Sequence, residues 1–318
     1  MKKTLITLAL TLGMSTAAMA WPDKTVNVVV PFPPGGSTDT IARTLANVMQ
    51  AKSGQTFIVD NRAGATGTIG ANHVARSAPD GHTILVASLG PYVIAPHLLK
   101  SVPYDALKDF DYLTVAVQAP NVLVVPAASA NKSVADVIAD LKANPGKVAF
   151  ASSGNGSSDH LTAELFWQQT GTQGVHIPYR GGAPAINDLL GNQVQASFQN
   201  INAIVQHVKA GKLRALAVTG DKRSTLMPDV PTLSEAGVKD ADVYSWQAIA
   251  APKGLSADMK KKIHEALVAA INDPQVKPRL IEQGFEIVAN TPEQFTAFQQ
   301  QEFQRWKSLI QSRNITAD

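Results

Sequence analysis

Residues 26 to 47 constrain the fold more than any other stretch of the chain. An apolar run, VNVVVPF (26–32), breaks into PPGGSTD (33–39) and resumes as TIARTLAN (40–47). Ile41, Leu45 and Met49 recur at i, i+4 and i+8, which predicts a helix with Ser37, Thr38 or Asp39 as its N-cap. The succession is strand, glycine turn, helix start. Two prolines and two glycines bend the chain and leave no bulky side chain over the first helical N–H groups, which have no intrahelical partners and carry the positive end of the helix dipole. Such a place can hold an anion. No Lys follows the glycines and the spacing is not GxGxxG, so the stretch matches neither a Walker phosphate loop nor a dinucleotide fingerprint, and no cofactor is expected.

The same layout recurs three times. NRAGATGTIGANHVAR (61–76) follows TFIVD with Gly64, Gly67 and Gly70 around a helix start. ASSGNGSSDHLTAELFW (151–167) follows VAF, with Leu161 and Leu165 on one helix face, and YRGGAPAINDLLG (179–191) follows VHI, with Pro184 suited to a first helical turn. One such turn is an ordinary connection, but four imply parallel strands with crossover helices, hence an α/β fold whose ligand sits beyond the carboxyl ends of the strands.

Residues 1–20 carry Lys2 and Lys3, an apolar middle from Leu5 to Leu12 and the small-residue end Ala18-Met19-Ala20, the pattern of a secretory signal peptide cleaved after Ala20. The apolar part is too short to span a bilayer. Removing Lys2 and Lys3 takes the basic residues from 28 to 26 against 25 acidic ones, so the exported product carries +1 instead of +3. No basic run or basic-aromatic patch remains, which argues against a nucleic-acid partner. With no cysteine, stability outside the cytoplasm rests on burial alone.

Strand-like runs at 111–126 and 245–251 sit at either end of a block with its own βα units. They imply an outer domain built from both ends of the chain, 21–122 with 247–318, and an inserted domain, 123–246, joined by two crossing strands that act as a hinge. Leu255, Met259, Ile263, Leu267 and Ile271 mark one amphipathic helix, and Thr291-Pro292 starts the last, which carries Phe295, Phe298 and Trp306. Trp167 and Trp246 are expected in the core.

In this order, VPFPPGGSTDTIAR (30–43), VDNRAGATGTIGAN (59–72), PDGHT (79–83), ASSGNGSSDHL (151–161), HIPYRGGAPAINDLLGNQV (176–194), LRALAVTGDKRS (213–224), PDVPTLSEAG (228–237) and APKG (251–254) resemble the substrate-binding proteins of tripartite tricarboxylate transporters, the Bug or TctC family. The resemblance runs from about residue 25 to the C-terminus. It implies a two-domain periplasmic binding protein of the Venus-flytrap kind, type II-like, each domain a mostly parallel sheet flanked by helices. It implies a monomer that delivers a small carboxylate to membrane permease subunits. It also implies a site: Pro34, Gly35, Gly36, Ser37 and Thr38, with Ala65 and Thr66, grip one carboxylate, while Ser153, Gly156 and Ser157 and the strand end Gln199-Asn200 face them from the other domain.

Elementary energetics agree. A carboxylate at two helix starts gains roughly 0.3 to 2 kcal/mol from each dipole and roughly 1.5 to 3 kcal/mol from each charge-assisted bond. Four or five such bonds, less the cost of immobilisation, reach micromolar affinity, about 8 kcal/mol, without a buried arginine. Arg43 and Arg62, beside acidic residues, are expected in ion pairs, whereas Arg180 lies nearer the cleft and is open as a ligand contact. Where the family often has Asp-Asn at the end of the strand, this chain has Gln199-Asn200, which removes a charge, weakens the case for an amino acid and favours a dicarboxylate or aromatic carboxylate.

Two alternatives follow from the residues. An exported hydrolase could use the Ser157 region with His160 close by, but GxSxG is absent, and His160 is expected as a helix-surface or interdomain hydrogen-bonding residue. The histidines lack HxxxH or HExxH spacing and no metal site is expected. The second alternative is a ligand-sensing protein for a signalling partner.

Overall fold

The computed structural model describes residues 21–317. The expected signal peptide and its cleavage after Ala20 fall on residues 1–20 and lie outside them.

The elements run β1 (Val26–Val30), α1 (Ser37–Ser53), β2 (Phe57–Asn61), α2 (Thr68–Ala75), β3 (Thr83–Ser88), α3 (Ala95–Leu98), β4 (Phe110–Pro126), α4 (Val134–Ala143), β5 (Ala149–Ser152), α5 (Ser158–Thr170), β6 (Val175–Pro178), α6 (Gly182–Leu190), β7 (Ala196–Asn200), α7 (Ile201–Lys209), β8 (Leu213–Val218), β9 (Tyr244–Pro252), α8 (Ala257–Ile271), α9 (Lys277–Glu282), β10 (Glu286–Ile287) and α10 (Pro292–Ser312). The sheet order is β2-β1-β3-β9-β4-β7-β5-β6, with β8 and β10 also paired to β4. β1 is parallel to β2 and β3, and β5 is parallel to β6 and β7, as crossover helices require. β9 runs antiparallel between β3 and β4, so the sheet is mixed.

The long strand β4 changes partners along its length. Phe110 to Pro120 pair with β9, whereas from Asn121 onward the strand lies between β7 and β8. Pro120 has no N–H to give a ladder, and it stands opposite Tyr244, where β9 begins. All but one of the strand's residues are buried, which accounts for its near-continuous apolar sequence.

Two aromatic clusters fill the interior. Tyr92 stacks on Trp246 at 5.9 Å, with Phe295 edge-on to both. Phe150 packs edge-on against Trp167 at 5.3 Å and stacks on Phe198. Trp167 and Trp246 are thus core residues. Ser133, Ser157, Ser256 and Thr291 cap their helices through side-chain oxygens, the last in a capping box with Gln294.

The first helix departs from expectation. Its N-cap is Gly36, with no side-chain cap bond, rather than Ser37, Thr38 or Asp39. Asp39 is drawn instead to partners outside the helix, as the site makes plain.

Candidate ligand cleft

Loops at the carboxyl ends of β1, β2, β5, β6 and β7 converge. After β1, Gly35 takes φ +89, a conformation that favours glycine, and its N–H donates to Asp39 Oδ2 at 2.9 Å. Asp39 also accepts from Arg43 Nε at 2.9 Å and from Asn61 Nδ2 at 2.9 Å, and Asn61 Nδ2 reaches back to the carbonyl of Phe32. The carboxylate therefore fixes the loop from beneath. Burial alone would raise its pKa, but donors from Arg43, Gly35 and Asn61 outweigh this and hold it below the usual range. One consequence bears on binding: the Gly35 N–H is taken, which leaves Gly36, Ser37 and Thr38 as the donors of an uncapped helix start. Pro34 has no N–H to donate.

After β2, Gly64, Ala65, Thr66 and Gly67 all have positive φ, at +135, +45, +55 and +88. Four such residues in succession cost backbone energy at Ala65 and Thr66, and strain of this kind persists where surrounding structure enforces it. Gly90 supplies part of that enforcement, for a Cβ there would stand 2.9 Å from the carbonyl of Thr66.

On the facing side, β5 ends at Ser152 and Asp159 fixes the next loop. Asp159 Oδ2 accepts from Ser153 N at 2.6 Å, Ser153 Oγ at 2.7 Å and Gln199 Nε2 at 3.2 Å. Burial pushes its pKa up more than the donors from Ser157 and Ser153 pull it down. Gly156 (φ +75) donates its N–H to His160 Nδ1 at 3.0 Å. His160 is therefore buried, not on the helix surface, and its ring stacks on His176 at 3.7 Å. Burial lowers His160 to about 3, with His176 adding to the shift, and burial lowers His176 to about 4. The loop after β6 joins the cluster through Gly181 N–H to the Ser153 carbonyl at 3.1 Å, and places exposed Arg180 beside it.

The two loop sets approach each other at Ser37 and at Thr66. Asn202 Nδ2, in the first turn of α7, donates to Ser37 Oγ at 3.0 Å. A Cβ on Gly156 would lie 3.6 Å from Thr66 Cγ2. The predicted residues are thus brought together as two facing sets, although not all are free for a ligand. Ser157 Oγ donates to the Gly154 carbonyl at 2.6 Å and accepts from His160 N, so the nucleophile of the hydrolase alternative is occupied as a helix cap. Asn200 Nδ2 is held by Asn121 Oδ1 and Ser158 Oγ. The described Ser–His side-chain contact is elsewhere, Ser152 Oγ to His176 Nε2 at 2.5 Å, with Ser152 sealed in the core. Arg43 and Arg62 form ion pairs with Asp39 and Asp60.

Asp39 enters the sequence reading only as a cap candidate, and Asp159 and Asn202 do not enter it. The first two carried a signal, since each follows a glycine or serine turn by four to six residues inside the first helical turn. Asn202 had none, because its partner is 165 residues away.

The model of the family described as "Tripartite tricarboxylate transporter family receptor" matches residues 41–315. The protein BugT of Bordetella pertussis is 39% identical over 295 residues, covering 92% of this chain and 90% of that protein. MatC from Rhodopseudomonas palustris, solved with bound malate, superposes with a TM-score of 0.82 at 30% identity, covering 91% of this chain and 100% of that one. A second R. palustris protein, solved with adipate, superposes with a TM-score of 0.85 at 32% identity, covering 93% of this chain and 99% of that one. The chain belongs to the tripartite tricarboxylate transporter receptors, the TctC or Bug family of periplasmic solute-binding proteins.

Proposed function

We propose that this receptor closes two lobes, 21–122 with 247–318 and 123–246, around one small carboxylate, with a dicarboxylate or aromatic carboxylate favoured, and as a monomer hands it to membrane permease subunits. The observation that carries the reading is the pairing of an uncapped α1 start and the strained Ala65-Thr66 turn with the Ser153–Ser157 loop across the Ser37–Asn202 contact. The N–H groups of Gly36, Ser37 and Thr38 supply charge-assisted donors to one carboxylate, together with the turn at Ala65 and Thr66. Ser153, Gly156, Ser157, Gln199 and Asn200 form the opposite wall, Gly156, Ser157 and Asn200 by holding its shape. The malate and adipate bound by the two structural neighbours are small dicarboxylates, which supports the same ligand class here.

A thermal-shift screen against mono-, di- and tricarboxylates, aromatic acids and acidic amino acids tests it. A ligand at 100 times its Kd stabilises by about 2.7 kcal/mol, so a di- or aromatic carboxylate should raise the midpoint by several degrees. A panel with no carboxylate hit, or an acidic amino acid as the sole hit, overturns the reading.

A further inference from the structure

Gln199 is almost fully buried at the end of β7, and both hydrogens of its amide are taken. Nε2 donates to Asp159 Oδ2 at 3.2 Å and to Ser197 Oγ at 2.9 Å. A carboxylate oxygen that already accepts two bonds from Ser153 attracts the NH2 end of the amide and repels the carbonyl end, so the orientation is fixed by chemistry. The carbonyl oxygen, Oε1, is therefore the end that points at Gly182, the first residue of α6, where a Cβ would stand 3.4 Å away. Among the described residues nothing donates to Oε1.

Ser153 adds a second acceptor at the same spot. Its single hydroxyl hydrogen goes to Asp159, so Oγ offers only lone pairs toward Gly182, 3.3 Å from the same Cβ position. The end of β7 and the loop after β5 thus present an acceptor pair backed by a buried carboxylate.

We propose that Gln199 Oε1 and Ser153 Oγ select a ligand whose far end bears a hydroxyl, a hydroxylated dicarboxylate or hydroxylated aromatic acid rather than its unsubstituted parent. Asp159 acts as the positioning residue, since it dictates which end of the Gln199 amide faces the ligand. The inference rests on the carboxylate-receptor reading and sharpens it. An acceptor left facing a methylene loses its hydration with no return, and for that reason sites built to bond a hydroxyl discriminate strongly against analogues that lack it.

Calorimetry on the purified protein with two matched pairs, malate against succinate and 4-hydroxybenzoate against benzoate, tests it. The hydroxylated member of the pair that binds should do so at least about tenfold more tightly, and Gln199→Met, which keeps the length but removes the acceptor, should narrow the ratio to below about threefold. Equal affinities within the binding pair in the unaltered protein overturn the inference while the receptor reading stands. An unsubstituted acid that binds more tightly than its hydroxylated partner does the same. If no carboxylate binds at all, the receptor reading itself fails, and this inference with it. The comparison within the unaltered protein decides the matter even if Gln199→Met does not fold.

Discussion

The loops on the two sides of the cleft use one device in two environments. Each turns on a positive-φ glycine, and each ties a loop N–H to a carboxylate in the helix that follows: Gly35 to Asp39, and Ser153 to Asp159. Around Asp39 there is a guanidinium, from Arg43, and an exposed loop over which a Cβ on Gly35 would meet nothing. Asp159 has no cation on it among the described residues; its donors are neutral, and a stacked histidine pair lies beside its loop. The outer loop is thus held by a buried carboxylate paired with a half-exposed guanidinium that water reaches, and the facing loop by neutral bonds inside the protein. Damage to the second should cost much more.

The largest expected effect is acid sensitivity, and it should reside in the facing loop. The folded-state pKa values of His160 and His176, about 3 and about 4, lie below the ordinary value of 6.5. The folded protein therefore binds fewer protons than the unfolded chain, so the stability these rings contribute is whole above about pH 6.5 and declines as pH falls toward 4 and then 3. The loss by pH 4 should be on the order of a few kcal/mol. His160→Asn, which keeps an acceptor for the Gly156 N–H without titrating, should flatten the slope in urea melts between pH 7 and 4, and an unchanged slope would falsify the assignment. Asp159 acts in the opposite sense, because its pKa is raised: its contribution is whole below 3.8 and is lost as pH rises through the folded value. Asp39, lowered, contributes above 3.8 and weakens as pH falls through its own folded value.

Replacing the carboxylates separates the two loops directly. Asp159→Ala leaves two Ser153 donors and the Gln199 amide facing nothing inside the protein, and should destabilise by about 3 kcal/mol. Asp39→Ala frees groups that water can reach, so it should cost about 1 kcal/mol. Denaturant midpoints for the two variants check the order. Equal losses would mean that the buried loop repairs itself with water.

How far the sequence disclosed this arrangement depends on the range of the interactions. Strand, turn and helix at the four loops were legible from apolar spacing and glycine placement, as was the helix start at Thr291, because each is decided within a few residues. The α1 cap was misread for the opposite reason. Asp39 has local cap chemistry, but Asn61, 22 residues away, and the Gly35 N–H claim its oxygens. His160 was misplaced because helical spacing cannot show that β6 brings His176 against it. β4 reads in the sequence as one strand crossing between two blocks near residue 122, but which strands it pairs with on either side of Pro120 is decided by distant segments.

The glycines extend the contrast. At Gly156 a methyl group would stand 2.6 Å from Leu98 Cδ2 and 3.1 Å from Ile94 Cγ2, on top of the left-handed backbone. Gly156→Ala should therefore cost about 2 kcal/mol, from strain and overpacking together. Gly35→Ala meets only the backbone term, about 1 kcal/mol. Thermal melts of the pair that showed Gly35→Ala as the more damaging change would contradict the contact between the Gly156 loop and the 94–98 segment.

The smallest effect belongs to the contact that joins the two loops. Asn202 Nδ2 to Ser37 Oγ is a neutral, half-exposed hydrogen bond, worth about 0.5 to 1.5 kcal/mol. Removing it by Ser37→Ala should barely move the melting midpoint of the free protein, since water can replace either partner. If the bond forms only when the lobes close, the variant lowers ligand affinity by that amount, roughly two- to thirteenfold, almost wholly through faster release. Asn202→Ala should do the same, and the double variant should lose no more than either single one, because the two changes delete the same bond. Additive losses in that cycle would show that Ser37 and Asn202 act separately, with Ser37 then contributing through its own contact with the ligand.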